Sequence, residues 1–203
     1  IVFNGEIYNF HALREELVKA GHKFHSETDT EVLIHAYEEW GENFVNRLNG
    51  MWAFAIYDSS KNILYLSRDR FGKKPLYYYY NDGRFIFASE IKSIVSHEGV
   101  SKDIEPDAVE LYLALSWIPE PLTIYKNIFK MPKASCAIFD LRKGRFIKTK
   151  KYYTVPYYKA VARDKNSIIS KMRDLIDDSV KLRMIADVPV GSFLSGGLDS
   201  SAI

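Results

Sequence analysis

The chain has 203 residues with 28 Lys+Arg against 26 Asp+Glu, a formal net charge of +2, so it lacks the one-sided basic excess that marks a nucleic-acid binder. Hydrophobic residues make up 47% and charged residues 27%, enough apolar material for a core and too little net charge for disorder. Its one cysteine, Cys136, excludes an internal disulfide and any zinc site built on several thiolates, and no apolar run approaches the roughly 18 residues of a membrane helix, so the expected setting is cytoplasmic, without nucleic-acid or membrane partners.

Residues 1–8 read as a strand leading into a turn. The chain opens without Met or a charged leader and ends where a helix is getting under way, so both ends are expected to be truncations. Asn9 is placed to cap a helix in which Leu13, Leu17 and Ala20 share a face and which Gly21 ends. Thr28-Asp29-Thr30-Glu31 has the form of a capping box opening a second helix, through Val32, Leu33, Ala36 and Tyr37 to Gly41. From Met51 the period changes to short β-runs at 51–58, 62–68, 75–80 and 84–88 with turns at 58–61 and 81–83, which predicts an antiparallel meander. Within it, Tyr77 to Tyr80 should send two rings into the core and two outward. Pro106 suits the first turn of a helix through Leu111, Leu113 and Leu115, and strands at 134–140 and 145–150 return to the sheet. Residues 151–165 have no clean period and read as a linker. Beyond them, Ile168, Met172, Leu175, Ile176 and Val180 form the stripe of an amphipathic helix ending near Ala186, followed by a buried strand over Val188 to Leu194 and a glycine loop from Ser195 to Ser201.

That loop carries the sharpest chemical signal. Ser-Gly-Gly-Leu-Asp-Ser-Ser at a helix start presents backbone N–H groups and hydroxyls to an anion, and Asp199 sits where a metal on pyrophosphate could be held. It has no P-loop lysine, and Phe193 stands where a nucleophile elbow needs glycine. A plain strand-to-helix turn is the alternative. Asn4-Gly5 taken alone would be a plain hairpin turn, the commoner use of that dipeptide. His22-x-x-His25 reads as a solvated pair without a third ligand, and Lys143 to Lys151 as a solvated basic strand edge. The Arg68 to Lys74 segment is either a loop facing a second domain or a solvated hairpin loop.

Taken together, Asn4-Gly5-Glu6-Ile7-Tyr8-Asn9, Gly50 to Ala55, Arg68 to Tyr77 and Ser195 to Ser201 resemble, in order and spacing, the glutamine-hydrolysing asparagine synthetase family. Amidotransferases of surface-polysaccharide pathways and β-lactam synthetases share its two domains. The resemblance implies an α+β chain: an N-terminal nucleophile α-β-β-α sandwich of two antiparallel sheets over 1–150, the linker at 151–165, and at 166–203 the start of an α/β parallel-sheet ATP pyrophosphatase domain. It implies glutamine hydrolysis through a cysteine thioester, ammonia channelling and a β-aspartyl-adenylate. Asn4 and Gly5 would serve as oxyanion donors, and Glu6 and Asp29 would join them in binding glutamine. Phe193, Ser195, Gly196, Gly197, Asp199 and Ser200 would bind ATP, with Asp199 on Mg2+. L-Glutamine, L-aspartate and ATP are then the small-molecule partners, and a homodimer is a compatible assembly. The nucleophile is expected outside these residues, because Cys136 lies in a strand-like run and has no free amino group. Two alternatives stay open: a related amidotransferase acting on a sugar or another carboxylate, and a nucleotide-binding module with a degenerate glutaminase half.

Overall fold

The computed structural model describes residues 1–157 and 164–203, which separate after Thr154 into two units. The first contains β1 (Val2–Ile7), α1 (Phe10–Lys19), α2 (Asp29–Trp40), a 3-10 segment (Gly41–Asn46), β2 (Gly50–Asp58), β3 (Ile63–Arg68), β4 (Tyr77–Asn81), β5 (Arg84–Ala88), α3 (Ile91–Val95), α4 (Pro106–Leu115), β6 (Ile128–Lys130), β7 (Ser135–Asp140) and β8 (Arg145–Lys151). Five strands form one antiparallel sheet in the order β1-β2-β3-β7-β8, and three form a second in the order β5-β4-β6.

Strand alternation explains the layering. Along β2, the large residues Trp52, Phe54 and Ile56 point to one face, where they pack with Leu13 and Leu17 of α1 and Val32, Leu33 and Ala36 of α2. The intervening Ala53 and Ala55 point to the other face, where their small size admits the second sheet: Leu76 and Tyr78 over Ala53, Tyr80 and Phe85 over Ala55. The far face of the second sheet, through Tyr79 and Ile86, packs on Ile91 and Ile94 of α3. Helices, sheet, sheet and helix therefore stack as the expected α-β-β-α sandwich. All four tyrosines of β4 are packed, Tyr78 and Tyr80 toward the first sheet and Tyr77 and Tyr79 toward α3, because this strand is covered on both faces and none of its rings faces out to solvent.

The meander expectation fails after β3. A single meander would pair β3 with β4, but β3 pairs with β7 and the chain crosses to the other sheet through residues 69–76. The crossing is built on buried charge. Asp69, only 1% exposed, accepts hydrogen bonds at its carboxylate from the backbone N–H groups of Trp52 (3.3 Å), Phe71 (3.0 Å), Lys73 (3.0 Å) and Lys74 (2.9 Å). Arg68 beside it donates to the carbonyls of Lys74, Gly72 and Met131 and pairs with Glu120 at 3.2 Å. Arg70 donates to the Leu48 and Asn46 carbonyls and lies over the Trp52 and Tyr153 rings. The charges of Arg68, Asp69 and Arg70 are thus taken up inside the unit, while Phe71 and Lys73 stay exposed on the same segment.

Helix ends also depart from expectation. The Asn9 side chain does not cap α1; it bridges to the Arg47 carbonyl and the Asn49 N–H, and Ala20 is exposed. Thr28 does cap α2, accepting from the Glu31 N–H, but Glu31 reaches past Thr28 to the N–H groups of His25 and Ser26 and the Ser26 hydroxyl, so the box is half formed. Pro106 opens α4 as expected, yet of its residues only Ala108 is buried. Leu111, Leu113 and Leu115 are spaced by two, which on a helix turns successive side chains about 200° apart, so they cannot form one stripe.

In the second unit, Asp164 caps α5 (Lys165–Arg183) by accepting from the Ser167 N–H, and α6 (Leu198–Ala202) follows. The helix stops three residues before Ala186. Leu175, Ile176 and Val180 of its stripe line an apolar groove of about 540 Å³ with Val190. Residues 188–194 form no strand, since no other strand among the described residues of this unit offers them a ladder partner. Of the expected linker, Lys151 is the last residue of β8, Tyr152 is tied to the sheet by a bond from its N–H to the Ala134 carbonyl, and 158–163 lie outside the described residues.

Asp69→Ala would leave four backbone donors without their acceptor, the Trp52 N–H fully buried and the other three partly so. The expected cost is about 3–5 kcal/mol, read as a lower urea midpoint, whereas Lys73→Ala on the same loop should change stability by less than about 0.5 kcal/mol. Glu31 provides a pH test. The Ser26 hydroxyl, then the His25 N–H, hold its carboxyl down to about 2 from an ordinary 4.5. Its folded value is depressed, so the stability it adds is complete above pH 4.5 and is lost as the pH falls toward 2. Glu31→Gln should flatten that part of the stability profile in urea titrations across this window.

Candidate functional site

Asn4, Gly5 and Glu6 lie inside β1, an edge strand of the five-stranded sheet, in register with Ala53, Trp52 and Met51 of β2. The strand expected over 1–8 is present, and the alternative of a hairpin turn at Asn4-Gly5 is excluded: the dipeptide is extended backbone in a ladder. Glycine is required here by close approach. A Cβ on Gly5 would stand 2.2 Å from the Met51 carbonyl oxygen and 2.8 Å from Trp52 Cα. The same holds across the pair, where a Cβ on Gly50 would meet the Glu6 carbonyl at 2.2 Å.

Alternation puts Asn4 on the side of β1 that faces the second sheet. There Asn4 Nδ2 donates to Ser89 Oγ at 3.1 Å, just past the end of β5. The two residues share the wall of a pocket of about 320 Å³ between the sheets, with Ala53, Leu76 and Phe87. Nothing in the sequence pointed to Ser89, which is 85 positions away and lies in no motif.

Asp29, in the first turn of α2, does more than favour the helix dipole. Its Oδ2 accepts from the backbone N–H of Ile7 at 3.0 Å, satisfying a donor at the end of β1 and anchoring the helix start to the strand that carries Asn4 and Gly5. The Thr30 hydroxyl lies 3.5 Å from Oδ1. The Glu6 side chain is exposed and makes no hydrogen bond or ion pair among the described residues, so its carboxylate is free to meet a ligand cation. The four residues expected to handle glutamine are thus gathered on one strand and the helix tied to it.

Cys136 sits in β7, 4% exposed in the core beneath the helices. Burial pushes its thiol up from the ordinary value, which keeps it protonated and unsuited to nucleophilic attack.

In the second unit, the Ser195 and Ser200 hydroxyls converge at 2.9 Å, and Ser200 Oγ donates to the Gly197 carbonyl at 3.1 Å. Gly196 takes a left-handed conformation (φ +79°), open to glycine without strain, and Gly197 caps α6. Phe193 and Asp199 are exposed on this loop. Hydroxyls and backbone amides of this kind suit a phosphate, and the Asp199 carboxylate suits a hard cation.

A family model described as a glutamine amidotransferase domain matches residues 1–153, and one described as asparagine synthase matches residues 171–203. Over its whole length the chain is 48% identical to a Methanocaldococcus jannaschii protein provisionally named glutamine-hydrolysing asparagine synthetase 2, and 41% identical to glutamine-hydrolysing asparagine synthetase 1 of Bacillus subtilis. It spans 39% and 32% of their lengths. Among solved structures, the glutamine phosphoribosylpyrophosphate amidotransferase of B. subtilis, complexed with ADP and GMP, is alike in fold over 75% of this chain and 28% of its own, with a TM-score of 0.51 at 17% identity.

Proposed function

The chain belongs to the glutamine amidotransferase domain family, and we propose that the whole protein makes asparagine from aspartate, glutamine and ATP. The observation that carries this reading is the position of Asn4-Gly5: a strand interior where only glycine fits, with the Asn4 amide turned into the pocket between the sheets. The order of the two matched segments on one chain supports coupling to an ATP-dependent step.

In this reading an N-terminal cysteine of the whole protein attacks the glutamine side-chain amide, and its α-amino group takes the proton. The carbonyl oxygen becomes an oxyanion held by the Gly5 N–H and by Asn4 Nδ2, whose other N–H is engaged by Ser89 Oγ. Glu6 and Asp29 face the substrate α-ammonium group, with the Asp29 carboxylate steadied by the Ile7 N–H. Ammonia released there passes to the second site. Ser195, Gly196, Gly197 and Ser200 hold the pyrophosphate portion of ATP, and Phe193 lies near the nucleotide. Asp199 binds magnesium, which when bound neutralises phosphate charge. Aspartate is the acceptor in this proposal, and a cytoplasmic setting suits all three substrates; among the described residues no helix is long and apolar enough to cross a membrane.

Asn4→Ala should lower glutamine-dependent kcat by about 10²–10³ while synthesis from added ammonia survives. A parallel fall in both activities would make Asn4 structural and sink the assignment. Asp199→Asn should show the reverse: glutamine hydrolysis persists and aspartate-dependent pyrophosphate release drops. If pyrophosphate release in the unmodified protein needs a carboxylate other than aspartate, the acceptor is wrong and the glutaminase half stands.

A further inference from the structure

The loop between α1 and α2 carries an arrangement that the glutaminase reading does not use. Helix α1 ends with Gly21 left-handed at φ +103°, the Gly21 N–H bonding the Val18 carbonyl and the His22 N–H the Leu17 carbonyl, each at 3.0 Å. This double bond pattern turns the chain back sharply and sets the His22 ring against α2. There His22 Nδ1 lies 3.1 Å from His35 Nδ1, His35 Nδ1 lies 2.9 Å from Glu38 Oε2, and His22 Nδ1 lies 3.8 Å from the same oxygen. The opposite nitrogens also face carboxylates: His22 Nε2 stands 3.0 Å from Glu39 Oε2 and His35 Nε2 3.6 Å from Glu31 Oε1.

The partner of His22 is therefore not His25, as the sequence pairing suggested, but His35, thirteen residues on and one turn before Glu38. The reading of a solvated pair without a third ligand is corrected by this convergence of three ligand atoms.

In the tautomer that carries its proton on Nε2 in both rings, the two Nδ1 atoms present lone pairs to one another and to Glu38 Oε2, and one metal ion would serve all three acceptors. The spacing fits as well, since ligands about 2.0–2.1 Å from a tetrahedral zinc stand roughly 3.3 Å apart, and the observed separations of 2.9, 3.1 and 3.8 Å bracket that edge. Glu39, 3.0 Å from His22 Nε2, occupies the place from which a carboxylate orients a metal-bound imidazole. The two rings are mostly covered while Glu38 is half exposed, which leaves a fourth position open to water.

We propose that His22, His35 and Glu38 form a binding site for one divalent transition-metal ion of the zinc class. The ion clasps the α1–α2 connection to the body of α2 and so steadies the segment that delivers Asp29 to β1. The assignment stands on these side chains and is independent of the reaction assigned to the protein.

The test uses the full-length protein without an affinity tag, stripped with chelator and titrated with Co2+. The expected result is the intense visible absorption of tetrahedral cobalt, saturating at one ion per chain and displaced by Zn2+. His22→Gln and His35→Gln should each weaken binding at least tenfold, Glu39→Gln about tenfold with unchanged stoichiometry, and His25→Gln not at all. Zinc should also raise the melting temperature of the wild type and not of His35→Gln. The proposal is overturned by absence of the cobalt bands in the wild type, by the weak spectrum of octahedral cobalt, or by wild-type uptake in folded His22→Gln and His35→Gln. If both variants fail to fold, the wild-type spectrum and stoichiometry decide by themselves.

Discussion

The Asp69 carboxylate is the interaction on which the first unit depends. A buried carboxylate without partners would be costly, but this one accepts four backbone N–H bonds, three of them from the segment that follows it. Its backbone is engaged as well: the Asp69 N–H bonds the Trp52 carbonyl, and the Asp69 carbonyl accepts from Gly72 and Ala134. One residue thereby joins β2, the end of β3, the start of β7 and the crossing to the second sheet. Arg68 closes the other side by taking up carbonyls of the same crossing and of Met131. A Cβ on Gly72 would stand 3.1 Å from the Arg68 guanidinium, so the tight fit also explains the glycine in the loop.

This knot lies one strand from the candidate site. Asp69 fixes both the N–H and the carbonyl of Trp52, and Trp52 is the register partner of Gly5. The position of the Asn4-Gly5 backbone is therefore set by a charge buried on the neighbouring strand, and the Asn4 side chain by Ser89 at the end of the second sheet. A site whose geometry must hold within a fraction of an ångström gains from support that is itself buried and saturated with hydrogen bonds. Among the described residues, no buried side-chain nitrogen or oxygen lacks a partner.

Three departures share one cause. The half-formed capping box, the bridging Asn9 and the pairing of His22 with His35 each involve a polar side chain with a local partner available that takes a distant or unexpected one. Local rules describe the choice offered by neighbours in sequence, and these side chains had better options in space. The exposed leucines of α4 and the missing strand at 188–194 are the converse, apolar segments whose partners are not among the described residues of their units.

The sequence alone determined the ends of most elements and the alternation of large and small residues on β2, because those follow from backbone sterics and side-chain period within a few residues. It also carried Asn4, Gly5, Glu6 and Asp29 as a group, since their order and spacing are a linear pattern. Only the tertiary structure decided that the chain after β3 crosses to another sheet, that Ser89 steadies Asn4, and that His22 meets His35. Each of these rests on contacts between residues distant in the chain, or on a charge whose burial no local window reveals. Their energies depend on which backbone donors and acceptors the fold brings within 3 Å, and the order of residues does not contain that distance until the sheets have closed.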